Sequence, residues 1–149
     1  MAGSILERNK TMKTVLVGGC FDLIHIGHIY FLEEAKKLGD RLVVLLESDE
    51  TIRRIKGEHR PIHTQRQRRK MLLAIKYVDK VISIPSLKTD AEYFDVIQTI
   101  HPNIIAFTQG DPILTKKIKQ AELVGARAVI IPKIPNRSST SLAKSLEVE

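Results

Sequence analysis

From Thr14 onward the chain alternates short β-branched apolar runs with longer stretches whose apolar residues recur at helical spacing, and this alternation constrains the fold more than any other feature. The runs TVLVGG, RLVVLLES, KVISI, NIIAFTQ and ARAVIIPKI read as about five strands. They are nearly continuous in apolar character rather than alternating, as strands covered on both faces must be. Between the first two, Ile29, Phe31, Leu32, Ala35 and Leu38 predict a helix over 28–38, with Gly39 as its stop. Met71, Leu72, Ala74, Ile75 and Val78 form the buried stripe of a second helix over about 64–77. Two more are predicted near 91–100 and 113–124, the latter closed by Gly125, and a last one after Asn136.

The pattern predicts an α/β fold: a single Rossmann-like, doubly wound parallel sheet of about five strands with flanking helices. With 149 residues, 43% of them hydrophobic and 28% charged, the chain has material for one core, placed here in residues 13–149. Residues 1–12 lack an apolar period and read as a flexible extension without chemistry. No apolar run approaches the ~20 residues of a membrane span, and no secretory signal opens the sequence. The single cysteine, Cys20, excludes an intramolecular disulfide framework and a multi-cysteine zinc cluster, so a reducing, cytoplasmic setting is expected. A net charge of +7 favours anionic partners. With only 5% aromatics and no tryptophan there is little material for stacking bases, which argues against nucleic acid.

In such a sheet the strand C-termini line one edge, and ligands bind there. Directly after the first strand come Gly18, Gly19, Cys20, Phe21 and Asp22, then Leu23 to His28 leading into a helix. Paired glycines let a ligand approach the backbone and expose N–H groups, and a helix N-terminus favours an anion. Phosphate is the obvious guest. His25 and His28, three apart with Gly27 between them, can act on one small object, as imidazolium or as neutral N–H donors to phosphate oxygens. A zinc site would need further ligands that no nearby carboxylate or thiol supplies. Cys20 reads as a mildly polar filler, the alternative being a reactive thiol.

These residues, GGCFDLIHIGH, resemble the nucleotidylyltransferase superfamily, whose hallmark is a GxFDxxHxGH stretch. Class I aminoacyl-tRNA synthetases share the HIGH element but are much longer and carry a KMSKS-like lysine loop absent here. The small cytidylyltransferase-like branch fits better, over about 13–146. It includes glycerol-3-phosphate cytidylyltransferase, heptose 1-phosphate adenylyltransferase and archaeal FAD synthase, enzymes that join a nucleotide to a phosphorylated small molecule and release pyrophosphate.

The resemblance implies roles for further residues. Gly18, Gly19, Cys20, Phe21, Asp22 and Gly27 would line the nucleotide, and His25 and His28 would stabilise the pentavalent α-phosphate. RRIKGEHRPI looks like the family's lysine-bearing stretch, placing Lys56 over the phosphates, although a solvated basic helix face is the commoner fate of such residues. In HTQRQRRKMLLAIKYVD, Arg68 matches the family arginine and is assigned to substrate binding. Arg66, Arg69 and Lys70 read as a solvated face, because they point around the helix and not along one nucleic-acid track. Gln109, Gly110 and Asp111 match a nucleoside-holding loop, though Gly-Asp-Pro is also ordinary turn chemistry and Pro112 removes a donor. NRSSTSL resembles the motif that opens the last helix, so Arg137, Ser138, Ser139 and Thr140 would hold the β and γ phosphates, beyond simple capping. Mg²⁺ carried by the nucleotide, no resident metal site, no membrane or nucleic-acid partner and a homodimer complete what the resemblance implies.

The function so implied is adenylyl transfer from ATP to the phosphate of a small molecule, either flavin mononucleotide or a sugar phosphate such as heptose 1-phosphate. A CTP-dependent glycerol-3-phosphate cytidylyltransferase is the alternative, and a non-catalytic ATP sensor is the alternative of another class. Flavin would need an apolar acceptor slot and a sugar phosphate a polar one.

Overall fold

The chain enters the sheet at β1 (Thr14–Gly19), crosses through α1 (Ile26–Lys36) to β2 (Arg41–Leu46), and continues through α2 (Asp49–Lys56) and α3 (Gln65–Leu73) to β3 (Lys80–Ser83). It then returns by α4 (Asp90–Ile100) to β4 (Ile104–Thr108) and ends with α5 (Leu114–Leu123) and β5 (Arg127–Ile131). The computed structural model describes residues 12–134. The residues before Met12 and the predicted last helix lie outside that range.

Five strands pair in the order β3-β2-β1-β4-β5, every pair parallel. Successive side chains alternate between the faces. Val15, Val17, Leu42 and Val44 join Leu32, Ala35 and Leu72 in one core layer. Leu16, Val43, Leu45 and Ile105 pack with Ala121 and Ala126 in the other, against which α4 contributes Ile97 and Ile100. Both faces are covered, so the strands carry no polar alternation.

Three details position the site. The strand order reverses between β1 and β4, so the crevice between their C-termini is the switch point of the sheet. β1 pairs with β2 as far as Gly19–Leu46, but with β4 only at Val15–Ile104 and Leu16–Ile105, so the two central strands part beyond Leu16. The third is α2, which lies within the stretch read for its lysine rather than for a helix. Ser48 caps it through a 3.1 Å bond from the Thr51 N–H, with Asp49 and Glu50 in its first turn and Arg53, Arg54 and Lys56 in its last, in line with the helix dipole.

Two helices differ in extent from the sequence reading. α1 starts at Ile26 because His25 is its cap. α3 ends at Leu73, after which tighter bonds from Ile75 N–H to Leu72 O and from Val78 N–H to Ile75 O carry Ile75 and Val78 onto the core.

Candidate active site

β1 delivers an exposed Gly18 and then Gly19, where a β-carbon would stand only 3.0 Å from the Phe21 ring. Phe21 turns the backbone with φ of 48°, and its ring is buried in the core below. Of the residues assigned to the nucleotide, Phe21 therefore offers backbone alone, and its ring serves as a floor, 5.5 Å between centroids from His28.

The histidine pair is built into the start of α1. The Gly27 N–H donates to His25 Nδ1 at 3.0 Å, and the His25 N–H donates to His28 Nδ1 at 3.1 Å. A backbone N–H only donates, so both Nδ1 atoms present lone pairs and each neutral ring carries its proton on Nε2. The ring centroids are 4.0 Å apart. Burial, with the His25 ring and the Lys56 ammonium beside it, pushes the His28 pKa down to about 4, and burial lowers that of His25 as well. At neutral pH the pair is two uncharged N–H donors standing at a helix N-terminus.

Lys56, exposed at the end of α2, is near enough for its charge to depress the His28 pKa and to act on Cys20. Burial raises the pKa of the Cys20 thiol against the pull of Lys56, so the half-buried thiol stays protonated.

Two other assigned residues lie beneath the site and not on its surface. The Asp22 side chain is fully buried and accepts from Arg60 Nε at 2.8 Å, Ile62 N–H at 2.8 Å and His63 N–H at 3.1 Å. Burial alone would raise its pKa, but these bonds outweigh it and hold the carboxylate below its ordinary value. Asp22 thus latches the loop between α2 and α3 to the glycine turn, in place of the nucleotide contact assigned to it. Arg68 is likewise fully buried. Its Nε donates to His63 O at 3.0 Å, Nη1 to Cys20 O at 2.8 Å and Glu47 O at 2.9 Å, and Nη2 to the Asp49 carboxylate at 2.6 Å. With those nitrogens engaged, Arg68 fastens the ends of β1 and β2 to α2 and α3 and has no face to offer a substrate, which corrects the substrate-binding assignment.

Across the crevice, β4 leads into Gln109 and Gly110, both exposed, and Gly110 adopts the left-handed φ of 85° that only glycine takes freely. The Asp111 carboxylate accepts from Ile113 N–H at 3.0 Å and pairs with Lys117 at 2.5 Å. Between β1, β4, α4 and α5 lies a cavity of about 340 Å³ with Gly18, Gly19 and Cys20 at its rim. Its walls include Leu16, Ile97, Ile105 and Phe107. Glu47 and Tyr93 also line it, joined by a 2.9 Å bond from the Tyr93 hydroxyl to the Glu47 carboxylate. The sequence reading did not single out Glu47, for which its position directly after β2 was the available signal. Arg137, Ser138, Ser139 and Thr140 lie outside the described residues.

A family model described as "Cytidylyltransferase-like" matches residues 16–144. The chain belongs to that family. Among curated relatives it is 38% identical over 144 residues to "Bifunctional protein HldE" of Desulfatibacillum aliphaticivorans, covering 93% of this chain and 28% of that protein. It is 35% identical to the protein of the same name from Campylobacter fetus, covering 96% of this chain and 30% of that one. The chain therefore spans less than a third of the length of these relatives. Among solved structures, the lipopolysaccharide core biosynthesis protein from Thermoplasma volcanium superposes with a TM-score of 0.67 at 27% identity, over 83% of this chain and 97% of that one. A pantoate-beta-alanine ligase from Francisella tularensis shares the fold at a TM-score of 0.58 and 16% identity, over 94% of this chain and 69% of that one. The cytidylyltransferase-like domain of this chain is thus a nucleotidyltransferase domain on a Rossmann-like sheet.

Proposed function

We propose that the protein is an adenylyltransferase that moves AMP from ATP onto the phosphate of a small molecule. The observation that carries this reading is the pair of neutral imidazoles, each with its proton on Nε2, fixed beside a glycine turn at the switch point of the sheet. An oxygen of the acceptor phosphate attacks the α-phosphorus; the new P–O bond forms as the α–β bridging bond breaks, and pyrophosphate leaves with the electron pair. Such a transfer needs positioning and charge stabilisation more than a nucleophilic side chain. His25 and His28 supply donors where negative charge develops on the α-phosphate, and Lys56 supplies a positive field beside them. Arg137, Ser139 and Thr140 would hold the departing pyrophosphate. Among the described residues no cluster of three or more His, Cys, Asp or Glu could hold a metal. A divalent cation such as Mg²⁺ would be carried by the triphosphate, whose charge it would partly neutralise.

A sugar phosphate acceptor is supported by the likeness to HldE proteins and to a lipopolysaccharide core biosynthesis protein. The apolar walls of the cavity favour a second acceptor, flavin mononucleotide. The test is pyrophosphate release from ATP and from CTP, in parallel, over a panel of sugar phosphates, glycerol 3-phosphate and flavin mononucleotide. Release with ATP and one acceptor class is expected. Preference for CTP replaces the adenylyl reading with the cytidylyl one, and nucleotide binding without release makes the protein a sensor. Replacing His28 by alanine should lower turnover ~10²-fold, the effect of losing one transition-state donor.

A further inference from the structure

The charged side chains lining the cavity fall into two kinds. Lys117 pairs with Asp111 at 2.5 Å and Lys116 with Asp90 at 2.7 Å, so four of them are mutually neutralised. Glu47 is different. It makes no ion pair among the described residues, and its hydrogen bond comes from the Tyr93 hydroxyl to one carboxylate oxygen, Oε2. Oε1 accepts no hydrogen bond among the described residues, and Glu47 lines a cavity whose walls are largely apolar.

The placement of this carboxylate is tightly held. Leu46 is in register with Gly19, and the next residue, Glu47, donates its N–H to Gly19 O at 3.1 Å while its carbonyl accepts from Arg68. The side chain therefore leaves the backbone beside the glycine turn, with Tyr93 of α4 fixing its far end. Burial raises the Glu47 pKa despite the opposing bond from Tyr93, as it does for a carboxylate short of donors. A phosphate brought to the same point would meet like charge.

We infer that Glu47, oriented by Tyr93, is the residue that selects the acceptor, receiving a hydroxyl or N–H donor from its uncharged end so that the phosphate is left toward His25 and His28. The inference rests on the transferase reading above. The ligand chemistry is a phosphate monoester with a neutral, hydroxyl-bearing body. Two sources supply it, a sugar phosphate and the ribityl chain of flavin mononucleotide.

The experiment is steady-state kinetics of wild type, Glu47→Gln and Tyr93→Phe with ATP and each acceptor, alongside a deoxy analogue of the acceptor that works. Glu47→Gln is isosteric and keeps an oxygen for Tyr93, and Tyr93→Phe leaves the carboxylate in place, so the two do not share a folding liability. Expected for Glu47→Gln is an acceptor KM raised at least tenfold with the ATP KM within twofold of wild type. Tyr93→Phe should raise the acceptor KM about threefold by loosening the carboxylate. Wild type should discriminate against the deoxy analogue, and Glu47→Gln should lose most of that discrimination. The acceptor whose KM moves identifies the source. An unchanged acceptor KM in active Glu47→Gln, or an equal rise in the ATP KM, overturns the inference and leaves the transferase reading standing. Wild type that releases pyrophosphate with no acceptor overturns both.

Discussion

Each imidazole of the pair divides its two nitrogens between structure and chemistry. Nδ1 accepts a backbone N–H of the α1 entry, Gly27 for His25 and His25 for His28, and Nε2 is left to donate. Protonation would place a hydrogen on Nδ1 against a backbone donor, within a partly buried pair already near Lys56, which accords with the His28 pKa of about 4. The ordinary histidine value is 6.5, so in the ligand-free protein the unfolded chain binds the proton and the folded chain does not between those limits. Stability should accordingly fall as the pH drops from about 6.5 toward 4, level off with respect to this group below 4, and be untouched by it above 6.5. NMR titration of the ring carbons checks the site directly: the His28 midpoint in the free protein should lie near 4, and a midpoint at 6.5 contradicts the arrangement described. Bound triphosphate should raise that midpoint, since a neighbouring anion favours the imidazolium.

At the scale of elements, the HxxH spacing has a structural role beside the catalytic one proposed for it. Three residues is the distance at which the two rings cap the same helix reciprocally, in the manner of a capping box. The sequence displayed the spacing and led to both histidines, but it did not display the capping, because histidine is not a usual cap residue and the pattern is silent about which nitrogen accepts. Asp22 and Arg68 show a second limit. Both were legible as special, and both were assigned to ligands, because their partners come from stretches about 20 to 50 residues away that no local pattern ties to them. The two predict different failures. Arg68→Ala leaves the Cys20 and Glu47 carbonyls short of a donor and Asp49 without its ion-pair partner, so it should destabilise the fold by about 2–4 kcal/mol, chiefly from the two carbonyls left without a donor. Asp22→Asn keeps the size and one accepting oxygen but turns its NH2 toward a backbone donor of the 62–63 segment and loses the charge that holds Arg60, so its main effect should fall on the connection after Lys56. Urea unfolding should show a much smaller loss for Asp22→Asn than for Arg68→Ala, while limited proteolysis should cut the former faster between residues 57 and 63. Equal losses of stability would mean that the latch and the clamp are one unit.

For the whole molecule, the number and type of strands followed from apolar runs, because strands buried on both faces need no partner to declare themselves. Their order did not. It depends on contacts between distant parts of the chain, and only the structure shows that β1 and β4 are the neighbours that part beyond Leu16. On the proposed reading, that parting is where the nucleotide would sit. The two halves of the sheet meet along β1 and β4, and the glycine turn and the Gln109–Asp111 loop stand on opposite banks. On the proposed reading a triphosphate nucleotide in the crevice would touch both banks at once, and the net charge of +7 favours an anionic partner. Hydrogen exchange with and without ATP tests the geometry independently of turnover. Backbone amides of residues 18–28 and of residues 109–111 should be protected together, while β3 on the far edge should change little. Saturating ATP at ~100 times its Kd should also stabilise the protein by about 2.7 kcal/mol, because a ligand that binds only the folded form adds RT ln(1 + [L]/Kd). Protection confined to one bank would place the nucleotide outside the crevice and separate the histidine pair from the phosphate proposed for it.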